Sequence, residues 1–282
     1  MNAFLETEIL AALARSGIHP RSFARISNLH LTGNSRSCYR IDHDRGIVKA
    51  RLLENEPTAR QLAAFRRELS DDFTPLISQC GRVLLEEWID GDPLPDMPES
   101  RWVTAAGGIL GDLHARPTLG HRMLHEVCPT ADHHISAQKC LRRIATMGAL
   151  REKDVARLEQ ILRQYDPLQT TYGLVHLDFC GENMVIDRAG RLRVVDNERI
   201  GLNSICADLA RPWYRWALPA PEWDSFCSAY ASRLPFPNPL DSFPFWKIVA
   251  IARSAELRLL AYPEKAYVPL GYLKALAAEK GL

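Results

Sequence analysis

The sequence of 282 residues predicts an α+β protein with two lobes, a small β-rich N-terminal lobe and a larger, mainly helical C-terminal lobe. Over about the first 90 residues, short runs of apolar, β-branched and aromatic residues alternate with turn residues, which is typical of strands. Beyond Pro93 most apolar residues recur at helical spacing. We therefore expect lobes over residues 1–90 and 91–282, joined by a short hinge near Trp88–Pro93.

The N-terminal lobe begins with a predicted amphipathic helix, MNAFLETEILAALARSG, which ends at Gly17. Strands are predicted within SFARISNLHLTGNSRSCYRID and RGIVKARLL. A helix follows in PTARQLAAFRREL, because Pro57 suits the first turn and Leu62, Phe65 and Leu69 share one face. The last predicted strand, in RVLLEEWIDGDPL, runs into a Gly/Pro turn.

The C-terminal lobe is predicted to be helical except at one hairpin. Its first helix, in SRWVTAAGGILGDLHARP, begins at Ser100, a plausible cap, and stops before Pro117. Further helices are expected near residues 132–147 and 152–165. Two short strands, NMVID and LRVVD, then flank an Ala189–Gly190 turn, and four helices follow from Cys206 to Leu282.

Composition and charge exclude several classes of partner. The net charge of +1 gives no basic field for nucleic acid or an anionic membrane. The N-terminus lacks the features of a signal peptide, and no apolar run approaches the roughly 18 residues of a membrane span. The seven cysteines are odd in number and include no C-x-x-C, so we expect reduced thiols in a cytoplasmic protein.

One stretch, LVHLDFCGENMVIDRAGRLRVVDNERIG (174–201), carries the strongest chemical signal. Its HLDFCGEN fits His-x-Asp-x-x-x-x-Asn, a spacing used for phosphoryl transfer. Asp178 suits the base that deprotonates an attacking hydroxyl, while Asn183 and Asp196 offer the hard oxygen ligands that Mg²⁺ takes. His176 is expected to orient the loop by hydrogen bonding. The alternative is a surface hairpin whose Asp and Asn residues only make turns; the combined pattern favours the site.

The segments HLDFCGEN, VVDNERIG and ADLARPW together resemble the aminoglycoside phosphotransferase/choline kinase family, the small-molecule branch of the protein-kinase-like fold. The resemblance implies that Asp178 is the catalytic base and that Asn183 and Asp196 are metal ligands. It also implies that Asp208 is a buried acid supporting the catalytic loop. Glu198 lies where the family often has a second acid after the metal aspartate.

Four N-terminal and central segments agree with this resemblance, which runs from about residue 30 to residue 215. LTGNSRSCYRI resembles the family's phosphate-binding turn and implies phosphate contacts from Gly33, Ser35 and Ser37. Lys49 in IVKAR lies where the nucleotide-phosphate lysine belongs. LLEEWIDGDPL resembles the hinge, whose backbone would bind adenine at Glu87, Trp88 and Ile89. LGDLHARP resembles a helix ending in L-x-x-L-H.

The resemblance implies an ATP-dependent phosphotransferase that moves the γ-phosphate, with Mg²⁺, to a hydroxyl of a small-molecule acceptor. Choline-, thiamine- and amino-sugar-like acceptors all fit, and the choice between ATP and GTP and the oligomeric state stay open. The competing hypothesis is a catalytically inactive, kinase-like nucleotide-binding or regulatory module.

The chain departs from the family pattern at several positions, and two of these departures, the sparse glycine turn and the missing helix glutamate, support that competing hypothesis. The phosphate turn has a single glycine, and Cys180 stands where the family often has histidine. The helix glutamate that normally pairs with the kinase lysine is replaced near Gln61, which leaves Glu56, Glu68 or no residue as the partner of Lys49.

Two further clusters have alternative interpretations. In HRMLHEVCPTADHH, residues 121–134, His121, His125, Cys128 and His133 could form a zinc site, although solvated loop histidines are favoured. Four of the six tryptophans lie between Trp213 and Trp246, and their faces could bind a cationic acceptor; core packing is favoured.

Overall fold

The computed structural model describes residues 3–27, 37–116, 127–235 and 239–279. Within these residues the helices are α1 (Ala3–Arg15), α2 (Glu56–Arg66), α3 (Ser100–Ala115), α4 (Ala131–Thr146), α5 (Glu152–Gln164), α6 (Ile205–Arg215), α7 (Ala220–Ala231), α8 (Phe243–Ala261) and α9 (Tyr267–Ala278). The strands are β1 (Pro20–Ser27), β2 (Ser37–His43), β3 (Gly46–Leu52), β4 (Leu76–Cys80), β5 (Val83–Glu87), β6 (Gly91–Pro93), β7 (Val127–Pro129), β8 (Gln169–Val175), β9 (Met184–Asp187), β10 (Leu192–Val194) and β11 (Gly201–Ser204).

The chain divides into two compact units, which are described separately. The first comprises the described residues of 1–94 and 183–201, and the second those of 95–182 and 202–282. The sequence placed the boundary near residue 90 and the 183–201 hairpin in the C-terminal lobe. The hairpin belongs with the first unit because β9 pairs with β6 and because the Thr74 amide donates to the carbonyl of Val194 at 3.0 Å.

Gly91 allows that pairing between β6 and β9. A Cβ atom at this position would lie 2.1 Å from the carbonyl oxygen of Ile186, so only glycine lets the two backbones approach this closely.

The first unit is built on an antiparallel sheet with the strand order β1-β2-β3-β5-β4. Alternate residues of β3, Val48, Ala50 and Leu52, pack with Ile9 and Leu13 of α1 in one buried cluster. Because side chains alternate along a strand, Lys49 and Arg51 lie on the opposite face. The helix predicted to end at Gly17 is confirmed: α1 ends at Arg15, and Gly17 has the left-handed φ of +66°.

Helix α2 follows its sequence signals closely. Its N-cap, Asn55, accepts a hydrogen bond from the Thr58 amide at 2.9 Å, and Pro57 lies in the first turn as predicted. Leu62 and Phe65 are buried, but so is the charged last residue, Arg66, which the sequence did not flag.

The second unit is mainly helical, as predicted. Helix α3 begins at Ser100, although the capping position falls on Glu99, and four helices follow the hairpin segment. A three-stranded sheet of order β11-β8-β7 was not predicted. The largest fully buried side chains of this unit are aromatic: Phe179, Phe226, Tyr230, Phe245 and Trp246.

All seven cysteines are free thiols. In the part of the chain that the structure describes, no helix combines the length and the apolar character needed to cross a membrane.

Candidate active site

The loop after β8 is held in place by Asp208, which lies in the first turn of α6. This carboxylate is fully buried and accepts hydrogen bonds from the amides of His176 at 2.7 Å and Leu177 at 2.8 Å. Leu177 has a φ of +61°, a costly conformation for a leucine that the two hydrogen bonds help to maintain. The prediction that Asp208 is a buried acid supporting this loop is confirmed.

A buried histidine completes the support of Asp208. His114, at the end of α3, places Nε2 3.1 Å from Asp208 and Nδ1 2.9 Å from the hydroxyl of Tyr230. These partners assign the Nε2–H tautomer, with Nδ1 accepting from the tyrosine. Burial alone would raise the pKa of Asp208, yet the hydrogen bond from His114 holds that pKa below its ordinary value.

His176 lies inside the loop rather than at its surface. Its ring is buried, and Nδ1 accepts a hydrogen bond from the Asp178 amide at 3.3 Å. This contact lies next to Asp178, and the orienting role of His176 stays a prediction.

The carboxylate of Asp178 is partly exposed and lies beside a cation that the sequence reasoning missed. Arg215, the last residue of α6, places Nη1 3.0 Å from Asp178 and Nη2 2.8 Å from Glu182. The same guanidinium lies 3.7 Å from the thiol of Cys180, where the family often has histidine. The sequence spacing could have indicated this arginine. Arg215 follows Asp208 by two helical turns, so both residues lie on one face of α6.

The β9–β10 hairpin brings two predicted metal ligands to the same end of the first unit. Met184 pairs with Val194, and the Val195 amide donates to the carbonyl of Asn183 at 2.8 Å. Asn183 and Asp196 therefore lie next to each other at the end of the hairpin, beside this last backbone hydrogen bond. Asp196 has a φ of +60°, a strained backbone conformation of the kind that clusters at functional sites.

Asp196 is surrounded by positive charge. The Nζ of Lys49 lies 3.5 Å from its carboxylate, and Arg51 contacts both Asp196 and Glu198. Partial burial would raise the pKa of Asp196, but Arg51 and Lys49 lower it to about 2. Carboxylate and amide oxygens at one hairpin end form a donor set that suits Mg²⁺.

The sequence left Glu56, Glu68 or no residue as the helix partner of Lys49, and the structure pairs Lys49 with an acid on the neighbouring strand. Lys49 contacts Glu86 of β5 at 3.9 Å, directly across the β3–β5 ladder, as well as Asp196. Glu56 instead pairs with Arg60 on the surface of α2. Neither acid that contacts Lys49 is on α2.

Helix α2 contributes a cation to this cluster instead of an acid. Arg66 is buried, pairs with the equally buried Glu86 and donates to the carbonyl of Thr74 at 2.5 Å. A clue was present in VLLEE, where strand alternation places Glu86 on the face of Lys49 while Glu87 is exposed.

The predicted nucleotide contacts are only partly within the described residues. Gly33 and Ser35 lie outside them, and Ser37 is described only as the first backbone position of β2. The Glu87 amide donates to the carbonyl of Pro75 at 3.0 Å, so it is already engaged. Trp88 and Ile89 form the connection from β5 to β6.

The zinc hypothesis receives no support from the described histidines. His133 contacts the hydroxyl of Tyr172 at 3.2 Å, and His134 pairs with Asp166 at 2.5 Å. His121 and His125 lie outside the described residues. Over the described ranges, no group of three His, Cys, Asp or Glu side chains is placed to hold a metal ion.

The predicted aromatic cluster already contains a cation. Trp223 stacks on Phe243 with ring centroids 5.8 Å apart, and Trp213 meets Phe243 edge to face. The Nζ of Lys247 lies 4.2 Å from the Trp213 ring centroid. These rings pack together around a lysine of the chain itself, which favours the core-packing interpretation.

Known proteins that resemble this chain agree on its architecture. The family model described as "Phosphotransferase enzyme family" matches residues 5–238. The choline kinase LicA from Streptococcus pneumoniae superposes with a TM-score of 0.68 at 14% identity, covering 98% of this chain and 99% of that one. The macrolide 2′-phosphotransferase MphH from Brachybacterium faecium gives 0.64 at 16% identity, covering 97% and 99%.

A further structure, LicA in complex with AMP, gives a TM-score of 0.57 at 13% identity and covers 96% of this chain and 99% of that one. No curated protein sequence matches the chain. These likenesses confirm the predicted kinase-like α+β fold.

Proposed function

Because the chain belongs to the phosphotransferase enzyme family, we propose that it transfers the γ-phosphate of ATP, with Mg²⁺, to a hydroxyl group of a small molecule. One observation carries the proposal: a single hairpin end holds Asn183 and Asp196, and Lys49 lies 3.5 Å from Asp196. Oxygen ligands beside a cation are what a metal-bound polyphosphate requires.

Asp178 is the proposed base of the reaction. Its carboxylate accepts the proton of the acceptor hydroxyl as that oxygen attacks the γ-phosphorus and the bond to the β-phosphate oxygen breaks. His176 and Asp208 hold the loop backbone in place, and the neighbouring guanidinium of Arg215 supplies positive charge where the attacked phosphoryl group carries negative charge.

Asn183 and Asp196 are the proposed Mg²⁺ ligands, with Glu198 the next acid along the chain. A bound Mg²⁺ would neutralise charge on the nucleotide phosphates. Lys49 is the proposed phosphate contact, and Glu86 fixes its position from the adjacent strand.

The adenine contacts are proposed at the connection between β5 and β6. Since the Glu87 amide is taken by Pro75, the backbone groups of Trp88 and Ile89 are the better donors and acceptors for the base. Gly33, Ser35 and Ser37 are the proposed phosphate turn. That LicA is known in complex with AMP supports adenine nucleotide here as well.

The proposed acceptor is a small alcohol of the choline, thiamine or amino-sugar kind. LicA is a choline kinase and MphH a macrolide 2′-phosphotransferase, so the similar structures include enzymes with different acceptors. Lys247 already occupies the face of Trp213. A cationic acceptor would therefore need other groups of the protein to bind its positive charge.

The first test is nucleotide binding by calorimetry, with and without Mg²⁺, in the wild type and in Asp196→Asn. We expect binding that depends on Mg²⁺ in the wild type and a loss of that metal-dependent binding in the variant, which lacks one of the two proposed metal ligands. Asp92→Asn, which changes an exposed acid of β6, is the matched control. A folded wild type that binds no nucleotide would refute the proposal.

The second test separates transfer from binding. Asp178→Asn should bind Mg·ATP within a few-fold of wild type, while phosphorylation of an acceptor found in a hydroxyl screen falls by about 10²–10⁴-fold. Turnover close to that of wild type would remove Asp178 as the base.

One observation favours the second candidate, a nucleotide-binding module without activity: Arg51 contacts Asp196, a proposed metal ligand, and also Glu198, the next acid along the chain. Such a module would bind nucleotide identically with or without Mg²⁺ and would yield no phosphorylated product in the acceptor screen. Metal-dependent binding followed by transfer would exclude it.

A further inference from the structure

We propose that Arg51 is an internal counter-ion for the metal-binding acids and a second phosphate-binding cation beside Lys49. In the ligand-free protein it holds Asp196 and Glu198, and when these acids take the metal it is released to the nucleotide phosphates. This inference rests on the proposed function, because it assigns a role within the same site.

The contacts of Arg51 are those of a bridging group. Its Nη2 contacts Asp196 and its Nη1 contacts Glu198, so one guanidinium joins both acids of VVDNERIG. The side chain is 5% exposed. Its Nε is buried and has no hydrogen-bond partner in the described part of the chain, so the guanidinium retains an unused donor.

Arg51 is also placed to act together with Lys49. The two residues are separated by one position on β3, so they lie on the same face of the sheet, and both contact Asp196. Planar guanidinium groups bind carboxylate and phosphate with the same paired donors. Arg51 can therefore exchange one oxyanion for the other without a change of chemistry.

The ion pairs around Arg51 join equal numbers of cations and acids. Three cations (Lys49, Arg51, Arg66) meet three acids (Glu86, Asp196, Glu198). Arg66 and Glu86 are both buried and hold each other, whereas Asp196 and Glu198 are partly exposed. A cation bound by these two partly exposed acids would leave Arg51 without a partner, and a nucleotide phosphate would supply one.

It follows that metal and nucleotide bind with positive coupling that depends on Arg51. Metal alone must displace Arg51 from both acids, and nucleotide alone must draw Arg51 away from them. Bound together, each ligand removes the obstacle to the other. Coupling of this kind is reciprocal and typically changes an affinity by about 5–150-fold.

The test is a binding cycle in Arg51→Met, which keeps the length of the side chain and removes its charge. Mn²⁺ alone, followed by electron paramagnetic resonance, should bind about 5–150-fold more tightly than to the wild type. ATP with EDTA, followed by calorimetry, should bind more weakly than to the wild type. The factor by which Mn²⁺ increases the affinity for ATP should be smaller than in the wild type, because the coupling depends on Arg51. Arg45→Met, an exposed charge in the β2–β3 turn, is the matched control and should change neither affinity.

Arg51→Lys covers the case in which Arg51→Met does not fold. Lysine keeps the charge but cannot pair with both acids through a planar fork, so its Mn²⁺ affinity should lie above that of the wild type. Mn²⁺ affinity that is unchanged or lower in the folded variants would overturn the inference while leaving metal-dependent nucleotide binding intact. A wild type that binds no nucleotide would instead overturn the proposed function.

Discussion

At the scale of single residues, Asp208 shows how one buried carboxylate fixes a functional loop. Two backbone amides and the ring of His114 all donate to its two oxygens. Asparagine has one acceptor oxygen and would turn an NH₂ group toward at least one of these donors. Asp208 is therefore difficult to replace even by a side chain of the same shape.

We predict that Asp208→Asn lowers the free energy of unfolding by about 3–5 kcal/mol, because it breaks a buried charge-assisted network. The pKa of Asp208 is lowered in the folded state from 3.8. Its ionised form thus contributes stability above pH 3.8, and that contribution is lost as the pH falls through 3.8 toward the folded value. Urea unfolding followed by circular dichroism should show a weaker acid dependence in the variant.

The control for this prediction is Asp224→Asn, which changes an exposed acid of α7. The prediction fails if Asp208→Asn unfolds at the same urea concentration as the control, or if its stability falls with acid as steeply as that of the wild type.

At the scale of elements, helices α3 and α7 of the second unit approach each other closely at a glycine. A Cβ atom on Gly107 would lie 2.3 Å from the carbonyl oxygen of Phe226. A backbone atom cannot move aside as a flexible side chain can, so this glycine sets the distance between the two helices.

We predict opposite effects for two glycine-to-alanine changes in helices. Gly107→Ala should destabilise the protein by about 1–3 kcal/mol because α3 and α7 must separate. Gly271→Ala in α9 should stabilise it by about 0.8–1 kcal/mol, because a Cβ there meets no atom within 4 Å and alanine favours the helix. Thermal unfolding of the two variants checks both signs, and a stabilised Gly107→Ala would show that this contact gives way easily.

The elements also show what sequence patterns can and cannot predict. Helix α2 and the β9–β10 hairpin were predictable because caps, prolines and apolar runs are local signals. Strands β6, β7, β8 and β11 were not, because their pairing partners are distant in the chain and such pairing leaves no local signal. The inclusion of the hairpin in the first unit follows from such pairing, between Gly91 and Asp187.

The same distinction holds for the candidate site. The positions of Asp178, Asn183 and Asp196 follow from a motif whose spacing is local. The contacts of Arg51, Glu86 and Arg215 depend on which strands and helices come together, and single-sequence spacing carries no direct record of that. Buried charges are the side chains that local patterns identify least well.

At the scale of the whole molecule, the thiols report on how completely the chain is folded. Five cysteines are buried (Cys38, Cys140, Cys180, Cys206, Cys227), and two, Cys80 and Cys128, are partly exposed. Burial also raises the pKa of Cys140 to about 12 and that of Cys206 to about 11, which disfavours the reactive thiolate.

We predict that Ellman's reagent titrates at most two thiols rapidly in the native protein at neutral pH and all seven in urea. Cys80→Ser and Cys128→Ser should each remove one rapid equivalent. Three or more rapid equivalents in the native wild type would contradict the burial of the remaining thiols.

The pairing of Lys49 with Glu86 has a consequence for how this protein can be controlled. In protein kinases the lysine pairs with a helix glutamate, so movement of that helix turns activity on and off. Here both partners belong to adjacent strands of one hydrogen-bonded sheet, and α2 is joined to them through the buried Arg66. The Lys49–Glu86 pair therefore depends on the register of the sheet rather than on the position of a helix.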